Sequence, residues 1–450
     1  MTRIQAIDKD GKEETVPCHF PWSSIYVSPN GDVRHCCATN LTKLGNLSEQ
    51  SIEEIWNGDL YQMVREKVAA GDFDGAYCNS NCEGLRTGEG YPWMERTDGS
   101  PGVVSNEEAA VSSFEKGQKK ADHLPTQLHI EFSDNCNFRC VMCFYEFKPP
   151  YHFVPEDAVT QLREMSSFAT HVVLMGGEVF MNKNDLKFID SYDAPDGASM
   201  GFVTNASYLS DEMIDRIRKF KRMGMQISID GTVKEVFEKV RVRGKWEEVD
   251  ANIRRVVRAA NELGKEGYEW NIHLAYVVMG SNLSNLAHSV EYAVDLGIPI
   301  DFNPVKGFHM FDENIFVYKE SLASTGDWRG YLDAAFEALE RHRETYPHYE
   351  KVLVRLRDIE KFVEGPKIRV PGLLAKVVGR VIPDKDGGKA QGLSRHDRDV
   401  GQVFEVYYNW RTGKSSLRTT VSYLGLKAYR RIREFHANRK KTNKPVRQQA

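Results

Sequence analysis

From Leu124 onward the hydrophobic and polar positions of this 450-residue chain switch repeatedly between two periods. Period-two stretches at Gln127–Phe132, His171–Met175, Ser199–Thr204, Gln226–Ile229, Asn271–Met279 and Ile300–Pro304 predict strands. Between them a period near 3.6 predicts helices over Pro155–Ser166, Asn184–Tyr192, Asp211–Met223, Trp246–Gly264 and Leu283–Leu296. Pro155 opens its helix at the first turn, where the missing N–H costs nothing. Strands separated by helices must return to the same edge, so they pair in parallel. The span is too short for eight βα units. The expectation is an α/β fold, a partial (β/α)6 barrel over residues 122–305.

The flanking segments read differently. Residues 1–83 hold a predicted hairpin, Ser24–Ser28 and Val33–Cys37, around the turn Pro29-Asn-Gly-Asp32. Ser51 caps a short helix to Trp56, with Glu54 three residues on. A second helical stretch, Leu60–Ala70, leads to Tyr77–Cys82. Residues 84–121, rich in Gly, Ser, Glu and Lys with little periodicity, read as a linker. Residues 306–450 read as a mixed helical region: helices at Asp327–Arg343 and Glu350–Val363, a strand at Phe404–Trp410, a basic helix at Leu424–Phe435.

Composition narrows the class. Hydrophobic residues make up 41% and charged residues 28%, ordinary for a globular domain. No apolar run approaches the roughly 20 residues that span a bilayer. The first ten residues lack the apolar core of a signal peptide. The expectation is a cytoplasmic protein without membrane contact. A net charge of -4 gives no global footprint for nucleic acid. From Arg411 to Ala450, however, twelve Lys and Arg face one acidic residue, Glu434. Lys427, Arg430 and Arg431 would share a helix face and, with Arg433, help dock an anionic substrate or partner; the other reading is a solvated tail.

All 8 cysteines lie in the first third of the chain. Clustered cysteines without a signal peptide point to metal rather than disulfides. Cys136, Cys140 and Cys143 follow the first barrel strand, on a loop of the kind that carries active sites in β/α barrels. Three thiolates at that spacing can bind three irons of an iron–sulfur cube and leave the fourth open. A zinc site with a fourth ligand elsewhere is the alternative. Cys18, Cys36, Cys78 and Cys82 form a second set, suited to another cube or to structural zinc. Cys37 is a spare thiol or an alternative to Cys36. No HExxH, Gly-x-Ser-x-Gly or Walker pattern occurs.

Four loops then line up. Cys136-Asn-Phe-Arg-Cys140-Val-Met-Cys143 is followed, after strand two, by Gly176-Gly-Glu-Val-Phe180. Thr204-Asn-Ala206 comes after strand three, and Ser228-Ile-Asp-Gly231 after strand four. Over residues 124–305 this resembles the radical S-adenosylmethionine (SAM) superfamily. The resemblance implies that Cys136, Cys140 and Cys143 hold a catalytic [4Fe–4S] cluster. It implies SAM contacts from Gly176, Gly177 and Glu178 to the methionyl amino group, with Asn205, Ser228, Asp230 and Arg241 completing the set. Val179, Ala206 and Met142 depart from the family's usual Pro, Gly and aromatic residue. Residues 18–82, with Gly31 before Cys36 and the phrase Gly45-Asn-Leu-Ser-Glu-Gln-Ser-Ile-Glu-Glu-Ile-Trp-Asn57, resemble a twitch, or half-SPASM, domain placed N-terminal to the barrel. That resemblance implies a second, auxiliary [4Fe–4S] cluster on Cys18, Cys36, Cys78 and Cys82.

The implied activity is reductive cleavage of SAM to a 5′-deoxyadenosyl radical that abstracts hydrogen, an oxidoreductase chemistry. A flavodoxin- or ferredoxin-type reductant is the implied partner. The leading substrate reading is a peptide or protein side chain or a natural-product precursor, towards which Ser228-x-Asp230-Gly231 leans. The alternative is oxidation or rearrangement of a sugar or nucleotide-sugar small molecule. A non-enzymatic iron–sulfur carrier or redox sensor is the third. No catalytic residue beyond the cluster is assigned.

Overall fold

Nine strands share one sheet in the computed structural model, which describes residues 6–7, 13–14, 18–39, 43–78, 82, 99–145, 149–306, 310 and 312–367. They are β1 (Ser24–Val27), β2 (Asp32–Arg34), β3 (Gly45–Asn46), β4 (Gln127–Glu131), β5 (His171–Met175), β6 (Ser199–Thr204), β7 (Arg222–Ser228), β8 (Glu269–Val278) and β9 (Ile300–Pro304). Their order is β9-β8-β7-β6-β5-β4-β1-β2-β3. Strands β4 to β9 pair in parallel, as the crossovers require.

The N-terminal unit does not stand apart. β1 adds to the barrel beside β4, parallel, with Ser24 opposite Gln127 and Val27 opposite Ile130. β2 and β3 then continue antiparallel. Without β1, strand β4 would present an open edge. All four β1 residues are buried, the mark of a strand covered on both faces. Gly31 takes the left-handed position of the hairpin turn, at φ +80. The Asn46 side chain closes that turn, donating to the Asn30 carbonyl at 3.0 Å and to Asp32 Oδ1 at 2.8 Å. Ser51 and Glu54 form the expected reciprocal cap on α1 (Ile52–Trp56), worth about 1 kcal/mol. α2 (Asp59–Ala69) follows.

The linker expectation needs correction. Within residues 84–121 lies a 15-residue helix, α3 (Pro101–Glu115), with proline in its first turn. Its inner face is Val103, Glu107, Ala110 and Ser113, small or polar residues that give little apolar contrast. Phe114 meets Trp22 with ring centroids 5.4 Å apart, and Trp22 Nε1 donates to the Gln118 carbonyl at 2.7 Å. These contacts tie α3 to the turn before β1.

Around the sheet run α4 (Glu156–Ser166), α5 (Lys183–Ser191), α6 (Asp211–Ile217), α7 (Lys234–Val240), α8 (Trp246–Lys265) and α9 (Leu286–Leu296). α6 is shorter than expected, because Arg222 already belongs to β7: Met223, Met225 and Ile227 alternate as buried strand positions. α8 buries Val249, Ile253, Val256, Val257 and Leu263 along one stripe. Each such aliphatic contributes roughly 1.5–3 kcal/mol. The strand residues under the helices are fully buried, among them Ile130, Leu174, Phe202, Ile227 and Leu274. Their alternates, including His171, Gln226 and His273, stay half-buried on the concave face. α10 (Trp328–Glu340) and α11 (Tyr349–Glu364) complete the described chain; Lys351 and Arg355 of α11 both reach Asp301 on β9, at 3.4 Å. The strand at 404–410, the helix at 424–435 and the cations Lys427, Arg430, Arg431 and Arg433 lie outside the described residues. Among the described residues no helix is long and apolar enough to cross a membrane.

Candidate active site

The cysteine loop leaves the end of β4, and three neighbouring loops clamp it. The first clamp is Gly176-Gly177. The Gly177 N–H donates to the Ser133 carbonyl at 2.8 Å, and the Glu178 N–H to the Asn135 carbonyl at 3.0 Å. A Cβ on Gly177 would stand 2.0 Å from the Asn135 oxygen, and one on Gly176, at φ +123, 2.7 Å from the Ser133 oxygen. Both glycines are therefore required by the approach of backbone to backbone. The second clamp is a two-residue antiparallel pairing of Arg139–Cys140 with Arg241–Val242. The third is Asn205, whose side-chain amide donates to Asn137 Oδ1 at 2.9 Å and reaches Cys136 Sγ at 3.7 Å.

Glu178 is wholly buried. Its carboxylate accepts from Thr204 Oγ1 at 2.7 Å, from the Asn205 N–H at 2.8 Å and from the Phe180 N–H at 3.3 Å. Burial pushes this carboxyl up, and those donors pull it back. Three of its roughly four acceptor positions are thus spent on protein groups. Its visible work is to tie the loop after β5 to the loop after β6.

Asp230 and Arg241 form a buried pair. Arg241 donates to Asp230 through Nε at 2.7 Å and pairs through Nη2 at 2.6 Å. The Val277 N–H adds a bond to Asp230 at 2.6 Å, and Asn282 donates to the Asp230 carbonyl at 3.0 Å. Asp230 sits at φ +115, a strained position that this web of bonds holds. Arg241 Nη1 also reaches Cys140 Sγ at 3.7 Å. Ser228 closes β7 on the concave face, opposite Ala275.

The structure brings the three thiols together. All are free and half-buried. Burial pushes Cys136 and Cys143 up to about 12, and each of the two feels Cys140. Burial also raises Cys140, while Arg241 pulls it down. A buried guanidinium beside a set of thiols fits a cluster of thiolate ligands, because it offsets part of their charge. Among the described residues no three His, Cys, Asp or Glu side chains converge closely enough for a single metal ion. An iron–sulfur cube does not ask for that, since each thiolate binds its own iron.

The second set gathers around the hairpin. Cys78 bridges back to Thr39, which sets Cys78 beside the chain that leaves β2. Burial raises Cys18 and Cys78 to about 12 and raises Cys36 further. Cys18 feels Cys78 and Cys82, and Cys36 feels Cys18 and Cys82. Cys37 is an exposed residue whose thiol is nonetheless raised, first by desolvation, with Lys306 and Arg34 pulling it down. The expected result is that Cys37→Ser keeps about eight irons after anaerobic reconstitution, whereas Cys36→Ser falls to about four. Equal iron in the two variants would refute Cys36 as the ligand. His35, just past the end of β2, is buried and pushed down to about 4 by that burial.

Sequence reasoning missed one element between the two sets. The Tyr26 hydroxyl of β1 donates to the buried Glu131 carboxylate at the end of β4, and the Arg34 guanidinium lies 4.6 Å from the Tyr26 ring centre. Glu131 is raised by burial. A glutamate at the inward end of a buried strand was the available signal; its partner lay 105 residues away.

The chain is similar to known proteins in two segments. The radical SAM superfamily model matches residues 130–299, and the SPASM iron–sulfur cluster-binding domain model matches residues 18–83. GTP 3′,8-cyclase of Ectopseudomonas mendocina is 28% identical over 186 residues, 39% of this chain and 53% of that protein. AdoMet-dependent heme synthase of Methanosarcina barkeri is 23% identical over 177 residues, 38% of this chain and 48% of that protein. The chain thus spans about half the length of these curated relatives. Streptococcus suis SuiB bound to S-adenosylmethionine aligns with a TM-score of 0.32 and 14% identity, over 57% of this chain and 55% of that one.

Proposed function

The chain belongs to the radical SAM superfamily and carries an N-terminal iron–sulfur cluster-binding domain, and from that premise we propose that it acts on a small polar molecule of the nucleotide or sugar class. It is an enzyme that uses a [4Fe–4S] cluster, SAM and an auxiliary iron–sulfur cluster. When bound, the cluster and SAM supply a carbon radical able to take hydrogen from an unactivated C–H bond. Cys136, Cys140 and Cys143 would hold the catalytic cluster, and Cys18, Cys36, Cys78 and Cys82 the auxiliary one. Arg241 offsets thiolate charge at Cys140. Asn205 and the Gly176-Gly177 loop keep the cysteine loop rigid, which holds reacting groups in position. The concave face orients the substrate and excludes water.

The observation that carries the substrate class is the lining of that face. His129, His171, Gln226, Ser228 and His273 are half-buried there. Burial pushes His129 down to about 4 and lowers His273, so both are neutral hydrogen-bonding groups at pH 7. A compact molecule with many polar atoms suits such walls. The names of the curated relatives, a GTP cyclase and a heme synthase, also support a small-molecule substrate. The peptide reading leaned on Ser228-x-Asp230-Gly231, but Asp230 is fully engaged with Arg241 and Val277, a structural duty that carries no substrate information.

The test supplies reduced, reconstituted enzyme and SAM with two fractions of a cell extract, one of metabolites and one of peptides and proteins. The metabolite fraction should raise 5′-deoxyadenosine formation about tenfold over the substrate-free rate, a barrier change of about 1.4 kcal/mol. Stimulation by the peptide fraction alone would overturn the small-molecule reading.

A further inference from the structure

β7 runs through the middle of the sheet, between β6 and β8. Met223, Met225 and Ile227 are buried beneath the helices, and Gly224, Gln226 and Ser228 occupy the opposite face. Gly224 stands in register with Gly201 on β6. Glycine inside a strand weakens it, so each needs a reason. Gly201 has one: a Cβ there would lie 2.9 Å from Val173 Cγ2. Gly224 has none among the described residues. Its φ is not left-handed, and among the described residues no heavy atom lies within 4 Å of where its Cβ would stand. A strand position free of both strain and crowding ordinarily carries a β-branched or aromatic side chain. Among the described residues, then, nothing accounts for the glycine, and the position is open to the close approach of a ligand.

The neighbours of this bare patch are specific. Gln226 and His273 face each other across β7 and β8, with His273 Nε2 3.3 Å from Gln226 Oε1. With His273 donating from Nε2, the Gln226 amide NH2 is left as a donor and His273 Nδ1 as an acceptor, side by side. Nearby charge is already paired: Asp301 is held by Lys351 and Arg355, and Arg222 pairs with Glu269 at 3.3 Å. The same strand leads through Ile229 to Asp230 and, by way of Arg241, to Cys140, so the patch and the cysteine loop share one support.

We infer that Gly224 is the floor of the substrate chamber and that Gln226 and His273 select a flat, uncharged heterocyclic ring with adjacent donor and acceptor groups, as a nucleobase has. A bare backbone admits the face of a ring, and the amide–imidazole pair meets its edge. This rests on the small-molecule reading above.

The experiment uses the full chain, anaerobically reconstituted and with SAM present. The probes are the 5′-monophosphates of guanosine, adenosine, cytidine and uridine, measured by equilibrium dialysis. At least one should bind the wild type. Gly224→Val should weaken that binding about tenfold or more, because its Cβ enters space that no heavy atom of the described residues approaches within 4 Å. Gln226→Leu should change the order of preference among the four bases, which a merely structural role would not do. Iron content should match wild type in both, so that a change in binding is not a loss of the clusters. If Gly224→Val loses iron, Gly224→Ala takes its place with the same expected direction. Binding that ignores the glycine and glutamine variants overturns the inference, and so does failure of all four probes to bind wild type. The small-molecule reading is judged separately, by the metabolite fraction.

Discussion

Replacing Cys136, Cys140 and Cys143 together with alanine should remove about half of the iron, from about eight to about four per chain, and abolish 5′-deoxyadenosine formation. The two cysteine sets are built on different elements. One set lies on the loop after β4, clamped by Gly176-Gly177, Arg241 and Asn205. The other is held by the hairpin and the Thr39–Cys78 bridge. No clamp is shared, so the auxiliary cluster should survive the triple change. Alanine at these three half-buried positions introduces no charge and no bulk. The variant should therefore fold. Iron and sulfide analysis with mass spectrometry of the nucleoside product checks both parts. Unchanged iron in a folded triple variant would refute the assignment of this loop.

The second large effect is expected at Arg241. Arg241→Met leaves the Asp230 carboxylate buried without its cation, which typically costs 3–5 kcal/mol or about that range. Over a domain of this size the melting temperature should drop on the order of 10 °C. Cys140 also loses the guanidinium 3.7 Å from its sulfur. Cleavage of SAM should fall with stability, because the Arg241–Val242 pairing aligns the cysteine loop. Adding Asp230→Asn to Arg241→Met should restore a good part of the loss, since the stranded charge is gone. Anaerobic thermal melts of the two single variants and the double variant form the cycle. A double variant no more stable than Arg241→Met would show that the ion pair is not the source of the effect.

How far the sequence carries can be argued from particular residues. The six barrel strands were legible because each alternates over its own five to ten residues. Strand β7 begins before its expected start because Arg222 and Met223 continue the preceding helical pattern as well as they open a strand. α3 was missed because Glu107, Ala110 and Ser113 make an inner face with almost no apolar contrast. The glycines at 176 and 177 were legible as a close approach, but the neighbour they admit is the cysteine loop itself. Glu178 was legible as a site residue by its place in the motif, whereas its three protein donors were not.

By itself the sequence determined what depends on short separations: the strand and helix periods, the cap at Ser51, and the thiolate spacing of Cys136, Cys140 and Cys143. Those are local because side-chain direction repeats every two or 3.6 residues and a loop of eight residues can reach only so far. Tertiary structure decided the rest. It placed β1 against β4, a hundred residues apart, and so fused the two iron–sulfur units into one sheet. It set Tyr26 on Glu131 and Arg241 on both Asp230 and Cys140. It also left Gly224, near Gln226 and His273, with no described residue within 4 Å of where its Cβ would stand. Which strand covers which edge, and which buried charge meets which partner, is settled by the free energy of packing the whole chain, and no local pattern encodes it.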